Sequence, residues 1–237
     1  MNLVFIGDVH LEGEDRAFEE FLSFLERISG STSRLVLMGD LFNLWIGREE
    51  SEGPAQRRLV ERLVELRGRG LVVRYLEGNR DYHVGRRHSG SAFDDAGPRG
   101  IVETHGGHRI FAVHGDLVNR ADRQYRLWRR ISRSGLLWGL YSLIPRGRRL
   151  RVVEQLERRM RSTNLDFKRR FPEDEVRRYA APYLAQGHDA VVLGHFHVEK
   201  ELLAPGGRIL VLPEWKESRR HLVAEPGGRL AFVDSPF

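Results

Sequence analysis

Five short polar segments of the chain carry side-chain types that bind divalent cations, and each of them directly follows an apolar run. The segments are Gly7-Asp8-Val9-His10, Gly39-Asp40, Gly78-Asn79-Arg80-Asp81, His114-Gly115-Asp116 and Gly194-His195-Phe196-His197. Seven of their side chains offer an oxygen or nitrogen ligand: Asp8, His10, Asp40, Asn79, His114, His195 and His197. Seven ligands are too many for one tetrahedral ion and suit two metal ions that share a carboxylate. The sequence therefore predicts a two-metal centre.

The spacing of these residues suits ligands that converge on a shared pair of cations. Asp8 and His10 are two residues apart, so the end of a strand and the loop after it can direct both side chains at one cation. His195 and His197 repeat this spacing. Asp40 is the predicted bridging carboxylate, because a carboxylate can hold two cations about 3.5–4 Å apart. We expect two divalent ions, with Mn²⁺ favoured, and they would lower the pKa of a bridging water and hold phosphoryl oxygens during displacement.

The elements that position these segments are predicted from the apolar pattern. Runs typical of strands occur at residues 3–6, 35–38, 71–76, 109–113, 190–193, 208–212 and 230–233. Apolar residues at 18, 21, 22, 25 and 28 form the stripe of an amphipathic helix, and residues 59, 63 and 66 form another. Alternating strands and helices predict an α/β fold with a largely parallel central sheet, whose ligands lie beyond the carboxyl ends of the strands. After residue 199, strands with Gly and Pro turns predict a second sheet.

The interval between His114 and His195 is longer than a strand crossover needs, and helices are predicted there at 122–132, 151–169 and 173–186. We expect a single domain over residues 1–237 with an inserted helical lid at about 119–187. Residues 134–145 of this lid are apolar but too few to span a bilayer. Arginines border the stretch on both sides: Arg129, Arg130, Arg133, Arg146, Arg148 and Arg149. The pattern predicts a segment that lies in an anionic membrane interface or lines a pocket for acyl chains, with an ordinary helix packed on the core as the alternative.

The composition limits which cellular compartment and which classes of partner are expected. The chain has 237 residues, a formal net charge of +6 and no cysteine, which excludes disulfides and thiolate metal sites and fits a reducing cytosol. No signal peptide or membrane-spanning run is evident, so we expect a cytoplasmic protein. Residues 120–170 hold 16 Lys and Arg against 4 Asp and Glu. A general preference for Arg over Lys explains why these basic residues are arginines, but it does not explain why they cluster in one segment. The cluster favours a site for phosphates, nucleic acid or anionic lipid.

The order of the five segments resembles the calcineurin-like metallophosphoesterase superfamily, whose blocks are Asp-x-His, Gly-Asp, Gly-Asn-His-Asp, a His, and Gly-His-x-His. The resemblance covers the chain from Asp8 to His197. It implies a sandwich of two mixed sheets flanked by helices. It also implies that one metal is held by Asp8, His10, Asp40 and His197 and the other by Asp40, Asn79, His114 and His195.

Arg80 departs from the superfamily pattern in a way that bears on the substrate. Most members have a His at this position, which commonly protonates the leaving group. An arginine is always charged and cannot do so, but its planar guanidinium binds phosphate oxygens. A leaving group that departs unprotonated is then favoured, such as a phosphate monoester, whose second pKa is about 6. Arg80 therefore favours cleavage of a pyrophosphate.

Further motifs narrow the resemblance to the family of UDP-2,3-diacylglucosamine pyrophosphatases of lipid A biosynthesis. They are Leu41-Phe42 with Trp45-Ile46-Gly47, Asp122 and Tyr125 after His114-Gly115-Asp116, Met160-Arg161-Ser162-Thr163-Asn164 with Lys168, and the ending Pro236-Phe237. The resemblance implies water attack on the α-phosphorus of UDP-2,3-diacylglucosamine, giving UMP and lipid X, by a peripheral protein on the cytoplasmic face of the inner membrane. It implies catalytic roles for Asp40, Asn79, Arg80 and His114, and substrate contacts from Arg80, Asp122, Tyr125, Asn164, Lys168 and His195.

Several alternatives remain open from the sequence. The chain departs from this family at Asn43, Val198-Glu199 and Pro213-Glu214, so another nucleotide-diphospho substrate is possible. The basic segment also suits a nuclease of the same fold, but the apolar centre of the lid and the lack of an acid at Arg80 count against nucleic acid as the partner. A non-catalytic scaffold would not need all seven ligands. Acyl-chain length, native metal and oligomeric state are left open.

Overall fold

Within residues 1–97, 99–145, 148–149, 151, 155 and 171–236, which the computed structural model describes, two mixed β-sheets pack face to face between helices. This is the predicted fold class. The first sheet contains β1 (Asn2–Ile6), β2 (Thr32–Leu37), β4 (Val72–Leu76), β6 (Asp95–Gly97), β12 (Arg220–Ala224) and β13 (Leu230–Asp234). The second contains β7 (Ile101–His105), β8 (His108–Val113), β9 (Ala190–Leu193), β10 (Lys200–Ala204) and β11 (Gly207–Val211). Two short strands, β3 (Trp45–Ile46) and β5 (Asp81–Tyr82), form a separate parallel pair.

Helices connect these strands and cover the outer faces of the sheets. They are α1 (Arg16–Ser29), α2 (Pro54–Gly68), α3 (Val84–His88), α4 (Arg123–Ser132), α5 (Gly135–Leu143), α6 (Glu173–Ala185) and α7 (Trp215–Ser218). A 3-10 turn spans Glu49–Ser51. The carboxylate of Asp15 caps α1 by accepting a hydrogen bond from the backbone N–H of Phe18 at 2.9 Å. Among the described residues, no helix is long and apolar enough to cross a membrane.

The strand order places the carboxyl ends of the central strands side by side. The first sheet runs β13-β12-β1-β2-β4-β6, in which β1, β2, β4 and β6 are parallel and β12 is antiparallel to β1. The second runs β10-β11-β9-β8-β7, in which β11, β9 and β8 are parallel. The crossovers that parallel pairs require are supplied by α1 between β1 and β2 and by α2 between β2 and β4.

Successive side chains of β1 point to opposite faces of the first sheet, and each face packs in a different core. Leu3 and Phe5 point between the two sheets and pack in one core with Ile110 of β8. Val4 points to the other side and packs in the core that α1 and α2 cover. A strand that is buried on both faces is apolar throughout, as β1 is. On the outer face of the second sheet, Val176 is among the residues by which α6 packs.

The structure differs from the expected organisation near the C-terminus and in the lid. Only β10 and β11 join the second sheet, whereas β12 and β13 extend the first sheet because β12 pairs with the free edge of β1. The predicted helices at 122–132 and 173–186 are α4 and α6. Since α6 packs on the second sheet, the predicted insertion at 119–187 includes a helix of the sandwich. The predicted helix at 151–169 lies almost wholly outside the described residues.

Candidate metal centre

Each predicted ligand lies just beyond the carboxyl end of a strand, and the sheets bring these strand ends together. The strands concerned are β1, β2 and β4 in the first sheet and β8 and β9 in the second. Seven non-glycine residues in the described part of the chain have a left-handed backbone, and five are predicted ligands: Asp8, His10, Asp40, His195 and His197, with φ between 51° and 73°. Such strained conformations cluster at functional sites, where the surrounding fold enforces them.

The first ligand group joins Asp8, His10 and His197, whose ligand atoms all lie within 4.8 Å of one another. Oδ1 of Asp8 is buried without a hydrogen-bond partner. It lies 3.5 Å from Nε2 of His197 and 3.9 Å from Nε2 of His10. The two imidazole nitrogens lie 3.1 Å apart. A carboxylate oxygen without a partner beside two imidazole nitrogens fits a bound cation.

The second ligand group joins Asp8 with Asp40 and His114, again with ligand atoms within 4.8 Å. Nε2 of His114 lies 3.6 Å from Oδ2 of Asp40 and 3.1 Å from Oδ1 of Asn79. Nδ1 of His195 lies 2.8 Å from the same amide oxygen. All seven predicted ligands therefore meet at one place. Asp8 belongs to both groups, and the bridging role of Asp40 stays a prediction.

Backbone N–H groups donate hydrogen bonds to one carboxylate oxygen each of Asp8 and Asp40. The N–H of His195 donates to Oδ2 of Asp8 at 2.7 Å, and the N–H of Arg80 donates to Oδ1 of Asp40 at 2.8 Å. These short approaches require glycine nearby: a Cβ on Gly78 would lie 2.1 Å from Oδ1 of Asp40, and one on Gly194 would lie 2.6 Å from Oδ2 of Asp8. The second oxygen of each aspartate is left for a cation.

Hydrogen-bond partners outside the predicted ligand set orient the imidazoles of His114 and His197. Nδ1 of His114 donates to the backbone oxygen of Met38 at 2.8 Å, which directs Nε2 into the centre. Nδ1 of His197 lies 2.9 Å from Oε2 of Glu214. Such carboxylate–histidine pairs hold the ring and raise its basicity toward a metal. The sequence predicts no role for Glu214, since nothing in the local pattern links it to His197.

Asp81 is a second residue whose role was not predicted. Its Oδ2 accepts hydrogen bonds from the backbone N–H groups of Asp40 and Gly78, both at 2.8 Å. It therefore ties the loop after β2 to the loop after β4. Burial and the neighbouring charge of Asp40 raise the pKa of Asp81 to about 7.

The electrostatics of the centre combine burial with close charges. Burial and the neighbouring His114 lower the pKa of His195 to about 4. Burial disfavours the charged form of His197, but Asp8 and Glu214 outweigh it and raise its pKa to about 10. Burial alone would raise the pKa of Asp8, yet His197 and the other imidazoles hold it well below the usual range. Asp8 is therefore an ionised carboxylate throughout the physiological range.

A polar cavity of about 190 Å³ adjoins the first ligand group. It is lined by His10, Glu12, Asn43, Arg80, His197, Glu214, Lys216 and Glu217. Nη1 of Arg80 donates to the backbone oxygen of Asn43 at 3.3 Å. This guanidinium thus stands in the wall of a cavity that two predicted ligands share, where its planar donors can reach phosphate oxygens.

The remaining predicted substrate contacts lie on α4 or outside the described residues. Asp122 is exposed and caps α4 by accepting a hydrogen bond from the backbone N–H of Tyr125 at 2.8 Å. The hydroxyl of Tyr125 and the guanidinium of Arg129 both donate to the buried carboxylate of Asp116. Since Asp116 follows His114 by two residues, this network attaches α4 to the centre. Asn164 and Lys168 lie outside the described residues.

Two further cavities lie beside α4. One, of about 480 Å³, is lined by apolar and aromatic side chains of α4, α5, β3 and β5. The other, of about 600 Å³, is rich in arginine and lined by Arg99, Leu117, Arg123, Arg126, Leu127, Arg129, Arg130 and Arg133. In the described part of the chain, six of the eleven exposed large apolar side chains lie on α4 and α5: Leu127, Trp128, Ile131, Leu136, Leu140 and Leu143.

Some known proteins are similar to this chain in sequence, and others are similar in fold. UDP-2,3-diacylglucosamine hydrolases are among its relatives: that of Aeromonas salmonicida is 28% identical over 96% of this chain and 91% of its own length. That of Proteus mirabilis is 30% identical over 69% and 68%, respectively. A hypothetical protein of Pyrococcus horikoshii has a similar structure, with a TM-score of 0.53 and 11% identity over 100% of this chain and 88% of that one. A novel archaeal phosphodiesterase has a TM-score of 0.50 and 10% identity over 98% and 99%.

The model of the calcineurin-like phosphoesterase family matches residues 1–199, a range that includes every predicted metal ligand. The match therefore covers the strands of both sheets whose carboxyl ends carry those ligands. Sequence, fold and donor chemistry agree on one assignment. The chain belongs to the calcineurin-like phosphoesterase family and is a metal-dependent hydrolase.

Proposed function

We propose that this hydrolase cleaves the pyrophosphate of UDP-2,3-diacylglucosamine by water attack on the α-phosphorus. The bond from that phosphorus to the bridging oxygen breaks, giving UMP and 2,3-diacylglucosamine 1-phosphate (lipid X). The observation that carries the proposal is that Arg80 lines the polar cavity beside the predicted ligands His10 and His197, while Tyr82, two residues later in β5, lines the apolar cavity. A charged head group and an apolar tail would then have adjoining sites. Relatives that are named for this substrate support it.

The seven predicted ligands are proposed to hold two divalent cations. One would be held by Asp8, His10, Asp40 and His197, and the other by Asp40, Asn79, His114 and His195. Mn²⁺ is the proposed metal, since it accepts mixed oxygen and nitrogen donors. When bound, such a pair supplies a nucleophilic water of lowered pKa and neutralises charge on phosphoryl oxygens.

The residues around the centre would orient the substrate and leave the departing group unprotonated. The Arg80 guanidinium would bind oxygens of the pyrophosphate and hold the α-phosphorus in line with the attacking water. Lipid X departs as a phosphate monoester, whose second pKa is about 6, so it needs no proton donor at neutral pH. Asp122, Tyr125, Asn164, Lys168 and His195 are proposed to contact the nucleotide, sugar or phosphates.

We also propose that the chain acts as a peripheral protein at the anionic cytoplasmic face of the inner membrane. Exposed apolar side chains lie on α4 and α5, and α4 also lines the arginine-rich cavity. Apolar groups beside arginines favour binding to an anionic lipid surface. Leu136 is 77% exposed and Leu203, on β10, is 75% exposed. Leu136→Glu should therefore reduce co-sedimentation with anionic vesicles, whereas the matched Leu203→Glu should leave it unchanged.

The decisive experiment measures Mn²⁺-dependent release of UMP from UDP-2,3-diacylglucosamine beside hydrolysis of bis(p-nitrophenyl) phosphate. Much faster cleavage of the lipid substrate supports the proposal. Cleavage of the diester alone would support a metal-dependent hydrolase but would contradict UDP-2,3-diacylglucosamine as its substrate. Asp40→Ala is the control, because it removes a predicted ligand of both metals and should abolish both activities.

A further inference from the structure

The arginine-rich cavity carries positive charge that the described residues do not neutralise. It measures about 600 Å³, within the usual range of ligand pockets. Two leucines and six arginines line it, and no acidic residue is among its described lining residues. The arginines are Arg99, Arg123, Arg126, Arg129, Arg130 and Arg133. Because like charges that share one cavity repel each other, this composition favours an anionic ligand.

Two of the six guanidinium groups already have carboxylate neighbours. Nε of Arg129 donates to the buried carboxylate of Asp116. Nε of Arg133 lies 3.7 Å from Oε2 of Glu77, and its Nη2 donates to the backbone oxygens of the loop after β4. These two side chains attach α4 to the loops of the metal centre. The charge that remains in the cavity comes from the other four arginines.

Those four arginines have no carboxylate partner in the part of the chain that the structure describes. Arg99, Arg123 and Arg130 form no ion pair there. Nη1 of Arg126 donates to the backbone oxygen of Arg120 at 3.3 Å, a contact that leaves its charge uncompensated. All four side chains are exposed, so an anion from solution can reach them.

The sequence of α4 concentrates this charge on one side of the helix. Arg123, Arg126, Arg130 and Arg133 follow one another at spacings of three, four and three residues, which places them on one face. Like charges at such spacings destabilise a helix. Arg99, in the loop between β6 and β7, brings a further guanidinium from outside the helix. Two separate elements thus direct arginines at one space, where a bound anion would offset their repulsion.

We propose that the arginine-rich cavity binds a phosphate group that carries two negative charges, as a phosphate monoester does. The planar guanidinium group matches phosphate oxygens through paired hydrogen bonds. A monoester has a second pKa of about 6 and is mostly a dianion at neutral pH, whereas a phosphodiester carries one charge. Four uncompensated cations therefore favour the monoester.

This site is separate from the predicted metal centre. Among the described residues, the arginine-rich cavity shares no lining residue with the polar cavity beside the predicted ligands or with the apolar cavity. Neither Arg80 nor any predicted ligand lines it. The bound phosphate is therefore not the one that is cleaved, and the inference does not depend on the proposed substrate.

Two sources of such a phosphate fit the cavity: the head group of a phospholipid and a free phosphate compound. Leu127 in the cavity wall is 59% exposed, and Ile131, one turn further along α4, is 44% exposed. Apolar side chains beside arginines suit a phosphate at a membrane surface. The guanidinium groups by themselves suit a free phosphate. Titration in solution and binding to vesicles distinguish the two sources.

Titration calorimetry of the Mn²⁺-loaded protein with glycerol 1-phosphate tests the free source. Wild type should bind this monoester, and Arg126→Gln and Arg130→Gln should each weaken binding about tenfold, as expected for one lost charge-assisted hydrogen bond. Arg120→Gln is the matched control, because Arg120 is exposed next to α4 but does not line the cavity. It should leave binding unchanged. Hydrolysis of bis(p-nitrophenyl) phosphate should stay at the wild-type level in all three variants.

Co-sedimentation with vesicles tests the lipid source. Vesicles that contain phosphatidic acid, a phosphate monoester, are compared with vesicles that contain phosphatidylglycerol, a diester, at equal surface charge. A preference for phosphatidic acid in wild type and in Arg120→Gln, but not in Arg126→Gln or Arg130→Gln, supports a lipid head group in the cavity.

Four results would overturn the proposal. The first is that wild type neither binds glycerol 1-phosphate nor prefers phosphatidic acid. The second is that binding and preference are unchanged in Arg126→Gln and Arg130→Gln. The third is an equal loss in Arg120→Gln, which would mean that net charge attracts the anion and the cavity does not. The fourth is a parallel loss of diester hydrolysis in the two cavity variants, which would place the phosphate in the metal centre.

Discussion

Replacing Gly78 by alanine tests whether the close approach of its loop to Asp40 positions the metal centre. A Cβ at residue 78 would lie 2.1 Å from Oδ1 and 2.8 Å from Cγ of Asp40. Ordinary contacts of a carbon atom are about 3.5–4.0 Å, so the carboxylate or the loop must move by roughly 1 Å or more. Gly78 does not have a left-handed backbone. The substitution therefore acts through space and not through backbone strain.

We expect the Gly78→Ala variant to lose Mn²⁺-dependent turnover by about 100-fold, since a misplacement of about 1 Å at a reacting centre costs about that factor. Its free energy of unfolding should fall by about 1–3 kcal/mol, as for other overpacked sites. Gly68→Ala is the matched control, because a Cβ at the end of α2 meets nothing within 4 Å. Turnover of Gly78→Ala at the wild-type level, with metal binding unchanged by calorimetry, would refute the reasoning.

Three further substitutions probe the centre and the core. Arg80→Ala should lower turnover of the pyrophosphate while calorimetry still detects two bound Mn²⁺ ions; loss of a metal would mean that Arg80 acts on the ligands instead. Glu214→Gln should weaken metal binding by about 10–100-fold, because it weakens the hydrogen bond that orients the His197 ring. Unchanged metal affinity would show that Glu214 does not orient this predicted ligand. Burial and then Arg220 lower the pKa of His221 to about 4. Between about pH 6.5 and 4 the unfolded chain therefore binds a proton that the folded chain does not, and stability falls as pH falls. In urea unfolding, His221→Gln should lose less stability than wild type across this window, by up to about 3 kcal/mol, whereas an equal loss in both proteins would exclude this contribution.

The convergence of the predicted ligands could be predicted from the sequence, because their positions follow from one topological rule. Parallel strands end at the same edge of a sheet, so side chains that follow β1, β2 and β4 must be neighbours. The same rule applies to β8 and β9. Asp8 and His195 come from opposite ends of the chain, yet the backbone N–H of His195 reaches the carboxylate of Asp8 at 2.7 Å. Local apolar runs sufficed to place them.

The partners of these ligands could not be predicted in the same way. Glu214 reaches His197 because β11 pairs with β9 and the chain then continues into α7. His83 reaches Trp138 because α5 packs against β3 and β5. In both cases the contact depends on how distant elements pack, and no spacing in the sequence encodes it. The pairing of β12 with β1 is of the same kind, since an antiparallel edge strand can join either sheet.

The attachments of α4 bear on the proposed substrate, which joins an apolar tail to a charged phosphate. Arg129 binds Asp116 in the loop after β8 of the second sheet, and Arg133 binds the Gly78 loop after β4 of the first sheet. One helix is thus fixed to ligand loops of both sheets. The arginine-rich cavity and the apolar cavity both include residues of α4. In the proposed function, buried ion pairs and backbone contacts would therefore set the distance from a tail in the apolar cavity to the predicted metal ligands, and with it the position of the scissile bond.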